Sequence, residues 1–181
     1  MENESKGTFT DPRDGKVYKT VEIGGVVWFA ENLNFAAEGS VCYDNDPANG
    51  DKYGRLYDLE TAMKACPEGW HIPSDEEWTA LLDYAGDEET AGATLKSTAG
   101  WNEDGNGTDD YGFSALPGGN GYSGDGNFEF AGYAGYDGYW WSATDAAVGY
   151  AIGWHVHYYG MYAMWGNYDK AYLFSVRCVK D

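Results

Sequence analysis

The stretch Cys66-Pro67-Glu68-Gly69-Trp70-His71-Ile72-Pro73-Ser74-Asp75-Glu76-Glu77-Trp78 carries the sharpest local signal in the chain, and the elements on either side are placed from it. Pro67 and Gly69 stop whatever precedes them. Ser74 has the side chain of a helix N-cap, Glu77 three residues on completes a capping box, and Pro73 and Trp78 occupy hydrophobic-staple positions. Trp78, Leu81 and Leu82 then share one apolar face, so a helix is predicted over about 74–84. Upstream, Leu56, Leu59, Ala62 and Met63 recur at three and four residues and predict a short helix. Downstream, a weaker helical stretch runs over 88–97.

Further out, the period changes from helical to alternating. After the turn signal Asp11-Pro12-Arg13-Asp14-Gly15, Val17, Val21 and Ile23 fall on one face and Tyr18, Thr20 and Glu22 on the other; Gly24-Gly25 then leads into Val26-Val27-Trp28-Phe29, which reads as a β-hairpin. The segment through Asn45-Asp46-Pro47-Ala48-Asn49-Gly50 reads as loop. Residues 101–139 are dense in Gly, Asn and Asp and read as a long irregular segment packed by its own rings, among them Trp101, Phe113, Phe128 and Phe130. Strands return after Tyr139. Ile152, Trp154, Val156 and Tyr158 alternate with Gly153, His155, His157 and Tyr159, and Leu173-Phe174-Ser175-Val176-Arg177-Cys178-Val179 forms a terminal strand.

Composition narrows the functions open to this chain. Its 181 residues fit one domain, and its 26 Gly, 16 Tyr and 8 Trp point to short strands, tight turns and many buried rings. With 30 Asp+Glu against 11 Lys+Arg the net charge is −19, so phosphate backbones and anionic lipid surfaces would repel it; neither nucleic acid nor membrane is an expected partner. No apolar run approaches the ~18–20 residues of a membrane span. The start, Met1-Glu2-Asn3-Glu4-Ser5, has neither the charged nor the apolar region of a signal peptide, and is read as a trimmed beginning.

Candidate chemistry is sparse. Cys66 and Cys178 either pair across a long loop or lie as two buried thiols, and Cys42 has no obvious partner. His155 and His157 project to one side of a strand, as in some zinc sites, but Asp145 and Asp169 are the only carboxylates nearby and no Cys joins them. Asp104, Asn106, Thr108, Asp109 and Asp110 form an oxygen-rich loop that is read either as solvated turns or as a calcium site, and an EF-hand is excluded by Asp109 at its sixth position. There is no Gly-x-Ser-x-Gly, no phosphate-binding Gly loop with Lys and no Cys–His–acid set, so no enzyme activity is expected. What stands out instead is the segment 145–169, whose outward set of Tyr, His and Gly resembles a paratope, where Tyr supplies contact area at low entropic cost.

The motifs, taken in order, resemble a known family. They are Thr8-Phe9-Thr10-Asp11 with Asp14-Gly15-Lys16-Val17-Tyr18, Trp28-Phe29-Ala30-Glu31-Asn32-Leu33, Tyr53-Gly54-Arg55-Leu56-Tyr57, Cys66-Pro67-Glu68-Gly69-Trp70-His71-Ile72-Pro73-Ser74, Gly112-Phe113-Ser114-Ala115-Leu116-Pro117, Tyr139-Trp140-Trp141-Ser142-Ala143-Thr144 and Phe174-Ser175-Val176-Arg177-Cys178-Val179-Lys180-Asp181. Together they look like the Fibrobacter succinogenes major paralogous domain. The resemblance implies a disordered extension over 1–7 and one α+β domain over 8–181. It also implies a C-type lectin-like fold of the formylglycine-generating-enzyme subgroup, with two helices around a small antiparallel sheet and long ordered loops.

Many members with such a C-terminus look like variable proteins of diversity-generating retroelements, in which adenines of a template are randomised. That implies a variable region over about 145–172, ligand binding to a protein or other macromolecule without a cofactor, and an extracellular or cell-surface, bacterial or phage setting. The alternative is a structural or adhesive surface module that is not diversified. Changing the adenines of an Asn codon yields Ala, Gly, Tyr, His, Asp or Val but never Trp or Met. Ala146, Ala147, Gly149, Tyr150, Gly153, His155, His157, Tyr159, Gly160, Tyr162, Gly166 and Tyr168 are therefore the expected ligand-binding positions, while Trp154, Met161, Met164 and Trp165 are expected as framework. Trp154 and Val156 should then be buried, and His155, His157, Tyr159 and Tyr162 exposed and contiguous on one face. The chain departs from the resemblance in lacking a second Cys near Gly50 to pair with Cys42, and in lacking the motifs of calcium-bridged sugar binding and of the formylglycine catalytic cysteine pair.

Overall fold

The computed structural model describes residues 5–124 and 127–181; residues 1–4 of the expected extension lie outside them. The chain opens with β1 (Lys6–Thr10), β2 (Val17–Ile23) and β3 (Val26–Phe29). Ile23 pairs directly with Val26, which leaves Gly24-Gly25 as a two-residue turn with φ of 60° and 84°, a backbone that favours glycine at both places. Short helices follow: α1 (Pro47–Tyr53), capped by the Asp46 carboxylate, and α2 (Leu59–Ala62), capped by Asp58. After β4 (Trp70–His71) comes α3 (Asp75–Ala85), where Ser74 Oγ accepts the Glu77 N–H and the Glu77 carboxylate accepts the Ser74 N–H, the reciprocal box its sequence predicts. Next is α4 (Ala91–Leu95). The remainder is β: β5 (Asn120–Gly124), β6 (Asn127–Ala131), β7 (Asp137–Ala147), β8 (Tyr150–His157), β9 (Ala163–Asp169), β10 (Tyr172–Leu173) and β11 (Val179–Lys180).

These strands make three antiparallel sheets, ordered β1-β2-β3-β11-β4, β10-β5-β6 and β7-β8-β9. The last strand enters the first sheet between β3 and β4, so both ends of the described chain lie in one sheet. The Cys66–Cys178 disulfide, with Cα atoms 5.9 Å apart, holds that closure next to β11. Closing a loop of this length stabilises a fold by ~4–5 kcal/mol in the chain-entropy model. Cys42 is a buried free thiol within 3.3 Å of Arg55 Nη1, and a Cβ at Gly50 would lie 2.5 Å from its sulfur.

A buried polar centre joins the sheets. Arg177 is fully buried, and its guanidinium donates to Asn32 Oδ1 (2.8 Å) and to the carbonyls of Phe29, Phe113 and Ser114 (2.9, 2.6 and 2.7 Å), with the Phe113 ring 4.4 Å away. Asn32 Oδ1 also accepts from Trp140 Nε1 at 2.9 Å. Burial pushes the Arg177 pKa down to about 9, still above neutrality, so the group stays charged. Around it lie two large apolar clusters. One packs Trp28, Trp78, Phe113, Trp140 and Trp154 between α3 and the sheets; the other packs Tyr18, Phe29, Tyr57, Trp141 and Phe174.

The α+β expectation is corrected here. The molecule is mostly β, with eleven strands in three antiparallel sheets among the described residues, and two helices around a small sheet do not describe it. The helix expected over 88–97 shrinks to Ala91–Leu95, and the one around Leu56–Met63 to four residues. The Gly-rich segment read as irregular contains β5 and β6, and β1 begins at Lys6, within the stretch read as an extension. Among the described residues no helix is long and apolar enough to cross a membrane.

Candidate ligand-binding face

The register of β7-β8-β9 sorts the C-terminal side chains into two faces. Trp140, Trp154 and Trp165 oppose one another on one face, as do Gly138, Val156 and Ala163; Trp154 and Val156 are buried there, and Trp154 Nε1 donates to Asp75 Oδ1 of α3 at 3.0 Å. The other face carries Tyr139, His155 and Met164, then Asp137 and His157, then Gly153 and Gly166, and finally Tyr168 opposite Ala151.

On this second face an aromatic row climbs from the core to solvent. Phe174, fully buried, stacks on Tyr139 (5.1 Å), Tyr139 on His155 (5.2 Å), His155 meets His157 edge-on (5.0 Å), and His157 stacks on Tyr159 (5.3 Å), which is 71% exposed. Tyr168 lies edge-on to His155 and Phe174. Burial, helped by the neighbouring His157, holds the His155 pKa down to about 4, so its ring is neutral at pH 7. Burial and the neighbouring Tyr172 push Tyr168 up to about 12, and its O–H, 2.9 Å from His155 Nδ1, donates to that neutral nitrogen. His157 Nδ1 lies 2.5 Å from Asp137 Oδ1, which fixes the second ring. His155 and His157, expected to be exposed, are thus half-buried and oriented by neighbours, because Tyr139, Tyr168 and Asp137 close round them from the adjoining strands.

The β8–β9 turn is held by its main chain. Lys96 is buried, and its ammonium donates to the carbonyls of His157, Tyr158 and Gly160 (3.4, 3.2 and 2.9 Å) over the Trp101 ring. Tyr158 N–H donates to the Tyr136 carbonyl and Ala163 N–H to the Glu88 carbonyl, both at 2.8 Å. Gly92 of α4 approaches so closely that a Cβ there would come within 2.5 Å of the Met161 and Tyr162 carbonyls. None of these contacts uses a side chain of residues 157–163.

The expected positions occupy three places. Ala146, Ala147, Gly149 and Tyr150 are exposed around the β7–β8 hairpin; Tyr159 and Tyr162 are exposed at the opposite end, in the β8–β9 turn; His155, His157, Gly166 and Tyr168 are half-buried between them. Tyr150 and His157 stand seven residues apart on one strand, roughly 23 Å. Gly153 and Gly160 are buried, and a Cβ at Gly153 would meet the Phe174 and Tyr168 rings at 2.8 and 2.9 Å. An open cleft of about 680 Å³, lined by Met63, Ser123, Ala143, Asp145 and Lys170 among others, borders the hairpin end.

Of the residues expected as framework, Trp154 is buried, whereas Met161, Met164 and Trp165 are exposed, the last two on the edge strand β9; a codon argument says which residues vary, not which are covered. The calcium candidates are not gathered into a ligand set. Asp109 spends both oxygens on Ser114, Asn106 Oδ1 accepts the Trp101 N–H, and among the described residues no group of three or more His, Cys, Asp or Glu is placed to hold a metal. Sequence reading missed Asp137, Tyr139 and Lys96. Tyr139 was visible as the aromatic opening Tyr139-Trp140-Trp141, whereas no local pattern marks Lys96.

The Fibrobacter succinogenes major domain matches residues 21–180 of this sequence. The chain belongs to that family. No curated protein and no solved structure matches it. In this Fibrobacter succinogenes major domain the matched span takes in the β2–β3 turn and β3, the Arg177 centre and the whole of the β7-β8-β9 sheet.

Proposed function

We propose that this protein is a receptor-type binding module whose β7-β8-β9 face takes a macromolecular ligand, and that side chains of residues 146–168 on that face are diversified by a retroelement. One observation carries the reading: the β8–β9 turn is fixed through backbone carbonyls and N–H groups by Lys96, Tyr136, Glu88 and Gly92, so its exposed side chains, Tyr159 and Tyr162, are free to change without moving the chain. The row of roughly 23 Å between hairpin and turn suits a protein-sized contact of about 800 Å² per partner better than a small molecule. Exposed Tyr159, stacked on His157, and Tyr162 supply the rigid amphipathic anchors that recognition favours. The disulfide fits an oxidising, extracellular or cell-surface setting. No catalytic step and no cofactor enters this reading. The genomic locus tests diversification: a reverse-transcriptase gene beside a near-copy of the segment encoding 145–172, differing at adenines, is the expected finding, and a locus without either favours an invariant adhesive module.

A further inference from the structure

One edge of the molecule lies outside this face. β9 is the terminal strand of its sheet, and the direction of its backbone groups follows from a single bond, since Ala163 N–H donates away from β8 to the Glu88 carbonyl. In an antiparallel strand the N–H and C=O of a residue share a side and alternate along the chain. Trp165 and Asn167 therefore turn theirs away from β8 as well. Both residues are exposed, and neither main-chain N–H reaches a carbonyl beyond the sheet among the described residues. An open edge of this kind is a template for strand addition. Apolar surface flanks it on both sides, with Trp165 (51% exposed) on the Trp154 face and Met164 (37%) on the His155 face, where alternate side chains of an added strand would rest.

Charge selects the occupant. The exposed run Asp87-Glu88-Glu89 abuts the start of the edge through the Glu88 carbonyl, and Asp169 lies at its far end. The nearby Lys170 is taken up by Asp145 at 2.6 Å. A second copy of a chain with net charge −19 would bring like charge to an acidic edge, whereas a cationic strand complements it. We infer that the outer edge of β9 docks an extended, Lys- or Arg-rich segment of a partner protein as a fourth strand, with Trp165 as its apolar anchor.

The test uses fluorescently labelled acetyl-(Lys-Val)4-amide with the intact protein at about 0.15 M salt. Asn167→Pro removes an edge donor that makes no bond to β8, so the sheet is retained while strand addition is blocked; Trp165→Ala removes the anchor. Near-UV circular dichroism confirms that both variants are folded. The expected result is saturable binding, weakened about tenfold or more by each substitution, no binding of acetyl-(Glu-Val)4-amide, and slowed amide exchange at Trp165 and Asn167 in the complex. Binding that survives both substitutions is mere attraction to an acidic protein and overturns the proposal. So does the absence of binding at ~1 mM peptide, or a dimer of the free protein that Asn167→Pro dissociates.

Discussion

Arg177 reaches carbonyls and one amide oxygen instead of a carboxylate, and its guanidinium ties the C-terminal run to two other segments: Phe29 and Asn32, at and just after the end of β3, and Phe113-Ser114. A planar fork of donors is what such a site requires, and a shorter or apolar side chain leaves buried carbonyls unpaired. Arg177→Met should cost ~3–5 kcal/mol, seen as a fall in Tm of about 10 °C or more by circular dichroism; an unchanged Tm would show the centre to be dispensable. His155 gives a pH signature. Its folded pKa of about 4 lies below the ~6.5 of the unfolded chain, so the unfolded state binds more protons between those values. The stability tied to this neutral ring is complete above about pH 6.5 and is lost as pH falls toward 4, up to ~3 kcal/mol. His71 acts in the opposite sense. Burial opposes its charged form, but hydrogen bonds to Asp181 and Glu77 outweigh that and raise its pKa, so its contribution is lost as pH rises. Comparing the wild type with His155→Gln in urea melts across that range isolates the His155 limb, and parallel curves would contradict it.

Among the elements, those set by near neighbours were legible and those set by distant pairing were not. The capping box at Ser74 and the Gly24-Gly25 hairpin need only a few residues, and both stand as read. Asp46-Pro47 is ambiguous by nature, since the same pair opens a turn or caps a helix; here Asp46 accepts the Ala48 N–H and α1 follows. β5 and β6 pair with each other but are Gly- and Asn-bearing, and β10 is only two residues long with its partner β5 far along the chain, so periodicity has nothing to register. The two-face split of β8 was legible from alternation, but the half-burial of His155 depends on Tyr139, Tyr168 and Phe174 arriving from other strands. The β8–β9 turn carries the next prediction. Lys96→Met removes three carbonyl contacts from the turn yet also removes a buried charge, so Tm should change little. Amide exchange over 158–163 should quicken by about tenfold or more, a local opening made easier by ~1–2 kcal/mol; unchanged exchange would mean that Lys96 does not hold the turn.

At the scale of the whole molecule, the closure of both chain ends into one sheet, the disulfide and the Arg177 centre make a rigid body, and the candidate face is mounted on it by backbone contacts. Resemblance of motifs pointed to the C-terminal segment as the candidate face, while the placement of its residues at two ends of one sheet came only with the register. If the body is indifferent to what the face carries, many side chains there can change together. The direct measurement is a displayed library in which Ala146, Ala147, Tyr150, Tyr159 and Tyr162 are randomised at once, Gly149 being kept because its φ of 81° favours glycine, beside a control library randomised at Trp154, Val156, Ala163 and Trp140. Most face variants should unfold cooperatively within about 10 °C of the parent, as expected for exposed sites costing ~0.5 kcal/mol each or less, and panning should enrich binders to unrelated purified proteins. Face variants that lose folding as often as the control, or a folded library that yields no binder, would contradict a diversifiable recognition surface.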